Sequence, residues 1–287
     1  MKNKSKVNKI ISSTMFIDNN ISIIVLYSDI NKDYLNAVIT SVFSQSITPK
    51  EIIIVDNSKN GLNGFNEKCK IVRTGFTNRS KARNIGAKAS IGSVLVFLDG
   101  DTLMGSRLIL EEIKRYCNKY SYGYGAKRMW TYPQGFFEKN KEKYISRLSK
   151  KDFIWVINNS FWPKESNKFA GFDDLTRYSF PGNFGFISKE LFDKIEGFDE
   201  RFEGYGGEDD HFAYKLYMAD KCKFVNLFSL SVVHINHLKK DTDYIESLKN
   251  NRLFQKILKH EGIKSFNINV LFKAPNFKGE EVIEWQK

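Results

Sequence analysis

Apolar residues open the chain in short unbroken runs. "ISIIVLY" (21–27), "EIIIVD" (51–56) and "SVLVFLD" (93–99) are of strand length and apolar on both faces, the pattern of strands covered on both sides in a parallel sheet. "CKIVR" (69–73) is a shorter run of the same kind. Between the runs the period lengthens to that of a helix. Leu35, Val38, Ile39 and Val42 recur in "DYLNAVITSVFSQ" behind an Asp33 cap, and Ala82, Ile85 and Ala89 face one way in "NRSKARNIGAKAS". "SRLILEEIKRYC" predicts another helix after the fourth strand. Strand and helix alternating over residues 21–118 predict right-handed crossovers and an α/β fold, with a Rossmann-like, mostly parallel central sheet flanked by helices. Ligands bind such sheets beyond the carboxyl ends of the strands, where Asp56, Asp99 and Asp101 stand.

The period weakens over about residues 120–180, which hold Trp130, Tyr132, Phe136, Phe137, Trp155, Phe161 and Trp162. Packing of a second subregion is the plainer role for these rings; a stacking platform for a flat apolar ligand face is the alternative. "GNFGFIS" then predicts a strand, "KELFDKI" a short helix, and "DYIESLKNNRLFQKILKH" (243–260) a late amphipathic helix. No repeat and no low-complexity linker divides the chain. A single composite domain is therefore expected, with an N-terminal extension (1–20), the α/β half (21–118), a second half (119–240), and a C-terminal helix and tail (241–287).

Composition adds a bias. The 287 residues carry 45 Lys and Arg against 33 Asp and Glu, a net charge of +12. That balance suits anionic partners such as nucleotides or an acidic membrane surface, although scattered lysines also make an ordinary solvated face. Cys69, Cys117 and Cys222 have no metal-type spacing and read as reduced core thiols. The first twenty residues lack a cleavage signal, and no apolar run approaches the ~20 residues that span a bilayer. The expectation is a cytoplasmic protein, with peripheral contact at the inner face of the membrane left open.

Four segments carry candidate chemistry. In "VLVFLDGDTLM", Asp99 and Asp101 flank one glycine at the end of an apolar strand; hard oxygen ligands at that spacing can hold Mg²⁺ or Mn²⁺ against a diphosphate. A strand-ending Asp-Gly turn is the plainer alternative. "SVVHINHL" offers His234 and His237, one of which could complete the coordination and so favour Mn²⁺ over Mg²⁺. "NRSKARNIGA" sets Arg79, Lys81 and Arg83 on one helix, either as a solvated basic face or with Arg79 or Arg83 reaching a nucleotide base or diphosphate. In "RFEGYGGEDDHFAYKLY", Glu208, Asp209 and Asp210 begin a helix after a Gly-Gly pair. Acids there suit the helix dipole, but one cap needs only one of them, and a carboxylate at this place could deprotonate an acceptor hydroxyl.

With those residues in view, the first half resembles the family 2 glycosyltransferases of the GT-A fold, from "SIIVLYSD" through "IIIVDNSKNG" and "RSKARNIGA" to "VFLDGDTLM". The segment "FPGNFGFISKELFDKIEGFDERFEGYGGEDDHFAYKL" is similar to the C-terminal catalytic part of the β-1,4-galactosyltransferases. It also resembles the matching parts of chondroitin-polymerase-type enzymes and polypeptide N-acetylgalactosaminyltransferases. The likeness implies that residues 21–118 bind a nucleotide sugar and 119–240 bind the acceptor and catalyse. It implies Asp101 and His234 as Mn²⁺ ligands, with His237 as the fallback. Asp99 would lie near the ribose or the water shell of the metal, and Asp56 would accept from the uracil of a UDP-sugar with Arg79 nearby. Asp209 matches the catalytic base; Glu208, Asp210, Tyr205 and Gly207 would position the donor or acceptor sugar. Tyr205 stands where galactosyltransferases have a tryptophan, and His211 follows the acids; both depart from the pattern.

The reading that follows is a metal-dependent, inverting glycosyltransferase that moves a sugar from a UDP-sugar to a hydroxyl of a glycan precursor or peptide, with no nucleic-acid partner. The alternatives are a retaining enzyme of the polypeptide N-acetylgalactosaminyltransferase type and a non-enzymatic anion-binding module. A sugar nucleotidyltransferase fits poorly, because "SDINKDY" follows the first strand in place of a glycine-rich loop.

Overall fold

The structure is a computed structural model that describes residues 20–62, 64–75, 78–117, 122–131, 133–161, 180, 182–219, 224–237, 242–263 and 281–283. The expected extension (but for Asn20), Cys222, Tyr132 and Trp162 lie outside the described residues.

The expected alternation is present. β1 (Ile21–Tyr27), α1 (Lys32–Phe43), β2 (Glu51–Asp56), β3 (Lys70–Arg73), α2 (Arg79–Ala89) and β4 (Val94–Asp99) follow one another along the chain. β1 pairs in parallel with β2 on one side and β4 on the other, and β3 adds in parallel to β2. Every residue of β1 is buried, so the uninterrupted apolar run corresponds to coverage on both faces. Its side chains alternate between two cores, as a strand requires. Ile21, Ile23 and Val25 join α1 in one cluster, whereas Ile24 and Leu26 join Ala82 and Ala87 of α2 in the other. Asn31 rather than Asp33 caps α1: its side chain accepts from the Asp33 amide and leaves Asp33 in the first turn.

Beyond β4 the chain forms β5 (Thr102–Met104), α3 (Ile109–Tyr116), β6 (Tyr122–Thr131), α4 (Phe136–Ser149), α5 (Phe153–Asn158) and β7 (Ser160–Phe161). β8 (Phe184–Ser188), α6 (Lys189–Lys194), α7 (Glu208–Met218), β9 (Phe224–His234), α8 (Thr242–His260) and β10 (Glu281–Ile283) complete it. The sheet order is β10-β9-β6-β8-β4-β1-β2-β3. β8 runs antiparallel to β4 and to β6, and β6 is parallel to β9. The second half is thus built onto the free edge of β4 as a continuation of one sheet, which explains the absence of any linker signal. A third apolar cluster, Phe202, Tyr214, Phe254, Ile257 and Leu258, ties α7 to α8.

Gly86 sets how closely α2 lies on the sheet. A Cβ there would stand 2.6 Å from Ile24 Cγ2 and 2.7 Å from Val55 Cγ2, both in strand interiors that cannot yield. Gly86→Val should therefore lower unfolding free energy by about 1–3 kcal/mol, the usual cost of overpacking a filled core. Urea denaturation measures it, and an unchanged midpoint would show that the helix can lift without cost.

Candidate active site

Two clusters of functional side chains form where β4 and β9 end and β5 begins. β5 pairs antiparallel with β9 so that Thr102 faces His234, and the Ile235 amide donates to the Asp101 carbonyl at 2.8 Å. That register brings Asp101 against both histidines of "HINH". Asp101 Oδ2 lies 3.0 Å from His237 Nε2 and 3.6 Å from His234 Nε2, and the three ligand atoms all lie within 4.8 Å of one another. The imidazoles stack on each other at 5.4 Å, and the Tyr34 ring stacks with His237 at 6.1 Å. The Tyr34 hydroxyl donates to Glu138 of α4, which fixes that ring in turn. One carboxylate oxygen and two imidazole nitrogens converging on a point form a donor set that fits a divalent cation of the Mn²⁺ type. His234 and His237 stand together at Asp101, so the choice between them does not arise in this geometry.

The second cluster surrounds Arg83. The sequence left this arginine either on a solvated basic face or reaching a nucleotide; in the structure it is 2% exposed, on the buried side of α2, which excludes the solvated face. Its Nη2 is 3.2 Å from Asp99, and its Nη1 is 3.3 Å from Glu208 and 3.8 Å from Asp209. The guanidinium also lies over the Phe198 ring at 5.3 Å. The correction has a simple cause: a cation so enclosed must be neutralised by nearby anions, and these acids satisfy that demand inside the protein.

The acids themselves are set by glycines. Gly206 and Gly207 have φ of +82° and +86°, a conformation that L side chains resist, and Gly207 caps α7 so that Glu208, Asp209 and Asp210 fill its first turn. The Gly182 amide donates to Asp209 Oδ2 at 2.9 Å. A Cβ on Gly182 would meet Arg83 Nη2 at 2.4 Å and Asp209 Oδ1 at 2.6 Å, so only glycine fits between them. Among the three acids around Arg83 the side chain of Asp209 is 37% exposed, against 24% for Asp99 and 6% for Glu208, which makes it the one a substrate can best reach. Burial and the adjacent Glu208 push the Asp209 carboxyl up to about 8, with Arg83 and the Gly182 amide pulling the other way and Asp99 adding a smaller upward push.

The remaining expected residues are placed as follows. Asp56 ends β2 and is buried, accepting from the amides of Ser58 at 3.1 Å and Leu62 at 2.7 Å. The arginine on Asp56 is Arg73, at 3.2 Å, which sequence reasoning did not single out; Arg79 instead lies over the Tyr205 ring at 5.3 Å. Asp210 follows Asp209 in the first turn and is half-buried. His211 turns away from the acids and packs against Phe202 and Phe254, where burial drives its imidazole down to about 4 and keeps it neutral near pH 7.

Comparisons with known proteins place the chain in a family and match its fold. The model for glycosyl transferase family 2 matches residues 22–195, and the chain belongs to that family. A second model, described as the N-terminal domain of galactosyltransferase, matches residues 172–242, which include the glycine turn and its acids. Among solved structures, the crystal structure of GalNAc-T7 with UDP, GalNAc and Mn²⁺ superposes with a TM-score of 0.56 at 15% identity. The match covers 83% of this chain and 48% of that one, so the chain spans about half the length of this neighbour. The shared fold is the GT-A arrangement expected from the sequence. Curated protein sequences gave no match.

Removing the charge of Arg83 tests the acid cluster. Arg83→Met should destabilise the fold by about 3–5 kcal/mol at neutral pH, because it leaves buried carboxylates without their cation. Chemical denaturation at pH 7 measures this, and a loss below about 1 kcal/mol would mean that the cluster is not held by that arginine.

Proposed function

We propose that the protein transfers a sugar from a UDP-linked donor to the hydroxyl of a glycan precursor or peptide, with inversion at the anomeric carbon. The observation that carries this reading is the convergence of the Asp101–His234–His237 triad and the Arg83-centred acids at the ends of neighbouring strands. A donor diphosphate and an acceptor hydroxyl must meet within one such space. Asp101, His234 and His237 would hold a divalent cation, Mn²⁺ by its donor set, and the bound ion would neutralise charge on the departing diphosphate.

The protein side chains supply the rest. Asp209 is the general base: its Oδ1 is buried against Arg83, its Oδ2 is fixed by the Gly182 amide on a side chain that is 37% exposed, and its raised carboxyl has the proton affinity to take a hydroxyl proton near neutral pH. Arg83 and Glu208 fix its place. Tyr205, stacked on Arg79, offers a ring face for a sugar, and Asp210 a hydrogen-bond acceptor. Asp99 would face the ribose, and the end of β2, where Asp56 is buried and engaged by Ser58, Leu62 and Arg73, would receive the uracil. A retaining reaction of the polypeptide N-acetylgalactosaminyltransferase type is the second reading, favoured by the GalNAc-T7 likeness.

No described helix is long and apolar enough to cross a membrane. The outer face of α8 is nonetheless suited to a bilayer surface. Lys249, Arg252, Lys256 and Lys259 are exposed within an arc of about 100°, beside Ile245 and Leu248, which are 70% and 43% exposed. Cosedimentation with phosphatidylglycerol vesicles should exceed that with phosphatidylcholine vesicles and fall in a Lys256→Glu, Arg252→Glu double variant. Equal binding to both lipids would remove the membrane contact.

A panel of UDP-sugars, assayed for hydrolysis and transfer with Mn²⁺ and with EDTA, tests the central reading. Activity with one donor, lost in EDTA, is expected; undiminished activity in EDTA, or none with any donor, would overturn it. Asp209→Asn should keep UDP binding and lose about 10²–10⁴-fold in transfer. Because the base must be ionised and its carboxyl sits near 8, single-turnover transfer should rise with pH up to about 8 and then level off. A profile flat between pH 6 and 9 would contradict that role.

A further inference from the structure

The glycine turn ahead of the acids is gripped from behind by one face of α8. Asn250, 1% exposed, points its Nδ2 at three carbonyls of the turn: Glu203 at 2.7 Å, Tyr205 at 3.2 Å and Gly206 at 2.7 Å. One turn of helix earlier, Glu246 Oε2 accepts from the Tyr205 amide at 2.9 Å. The helix also leaves no room for side chains in the turn. A Cβ on Gly204 would come within 2.4 Å of Glu246 Oε2, one on Gly206 within 3.1 Å of Ser247 Oγ, and one on Gly207 within 3.0 Å of Asn250 Cβ. Gly204, Gly206 and Gly207 all have positive φ, so this backbone path is closed to ordinary residues on two counts.

Local preference does not explain why the turn keeps this path, since three left-handed glycines are the most freely jointed part of any chain. The bonds from Glu246 and Asn250 supply the missing restraint. They act on the segment that presents Tyr205 to Arg79 and ends at the cap Gly207, one residue before Glu208 and two before Asp209. A shift of the turn would move the ring and the base together.

We propose that Glu246 and Asn250 are positioning residues for sugar transfer, holding the glycine turn so that Tyr205 and Asp209 keep a fixed relation to the donor end of the site. The proposal rests on the reading of Asp209 as base. It assigns the late helix, past whose first residue neither family match extends, a part in the reaction.

Three variants test it. Asn250→Asp keeps the shape but replaces the donor with a carboxylate facing three carbonyls; Glu246→Ala removes the acceptor; Glu246→Gln retains one. Hydrogen exchange of the 203–207 amides should speed up at least tenfold in the first two and stay at the wild-type rate in Glu246→Gln. With the donor found in the UDP-sugar panel, kcat should fall roughly 10²-fold in the first two, the scale of loss from displacing a reacting group by about 1 Å. KM for the donor should change far less, and Glu246→Gln should retain activity. Faster exchange with unchanged kcat would overturn the positioning role and leave the glycosyltransferase reading intact. Unchanged exchange would overturn the proposal whether or not any donor is turned over. If Asn250→Asp does not fold, the Glu246 pair decides the matter alone.

Discussion

A buried arginine organises the site. Arg83 is enclosed by protein and faces Asp99, sixteen residues away in sequence, and Glu208, one hundred and twenty-five away. A guanidinium in such a place is tolerated only with anions close by, and carboxylates so close to each other are tolerated only with a cation between them. Each half of the chain therefore supplies what the other needs. The presence of Glu208 and Asp209 at this spot in a chain of net charge +12 follows from this pairing. They are the counter-charge of an internal cation as well as candidates for chemistry.

The sheet carries the same coupling on the other side. β8 joins the edge of β4, β6 follows, and β9 returns alongside β6 until its end lies against β5. Asp101 meets His234 and His237 only because the Thr102–His234 register is fixed by those pairings. The Asp101–His234–His237 group and the acid cluster are thus two outcomes of one arrangement, with Asp99 and Asp101 of a single short turn belonging to one each. α8 completes it from outside by gripping the glycine turn.

Much of the first half was legible because burial on both faces leaves a plain mark. The runs at β1, β2 and β4 are apolar throughout, and the helices between them show a helical period. β6 was not legible: "YGYGAKRMWT" mixes glycine and charge, and only its place between β8 and β9 makes it a strand. Arg83 was misread because a charge in a helical pattern is normally assigned to the solvent face, and its three partners lie far away in sequence. The link between Arg73 and Asp56 and the grip of Asn250 were equally hidden, since neither leaves a periodic or motif signal. The acids and the "HINH" pair could be picked out, because residue types that can hold a metal or move a proton were clustered at strand and helix ends. Their joint use at Asp101 needed the register.

The claim at the centre of this account is that Asp209 works as a base opposite the leaving diphosphate, which requires a single displacement at the anomeric carbon. Proton NMR of the anomeric signal of the transferred sugar, which the glycosidic bond locks in place, reads that stereochemistry directly. From an α-linked UDP-sugar, that single displacement gives a β-linked product. An α-linked product would contradict it and leave Asp209 as a partner of Arg83 without a role as base.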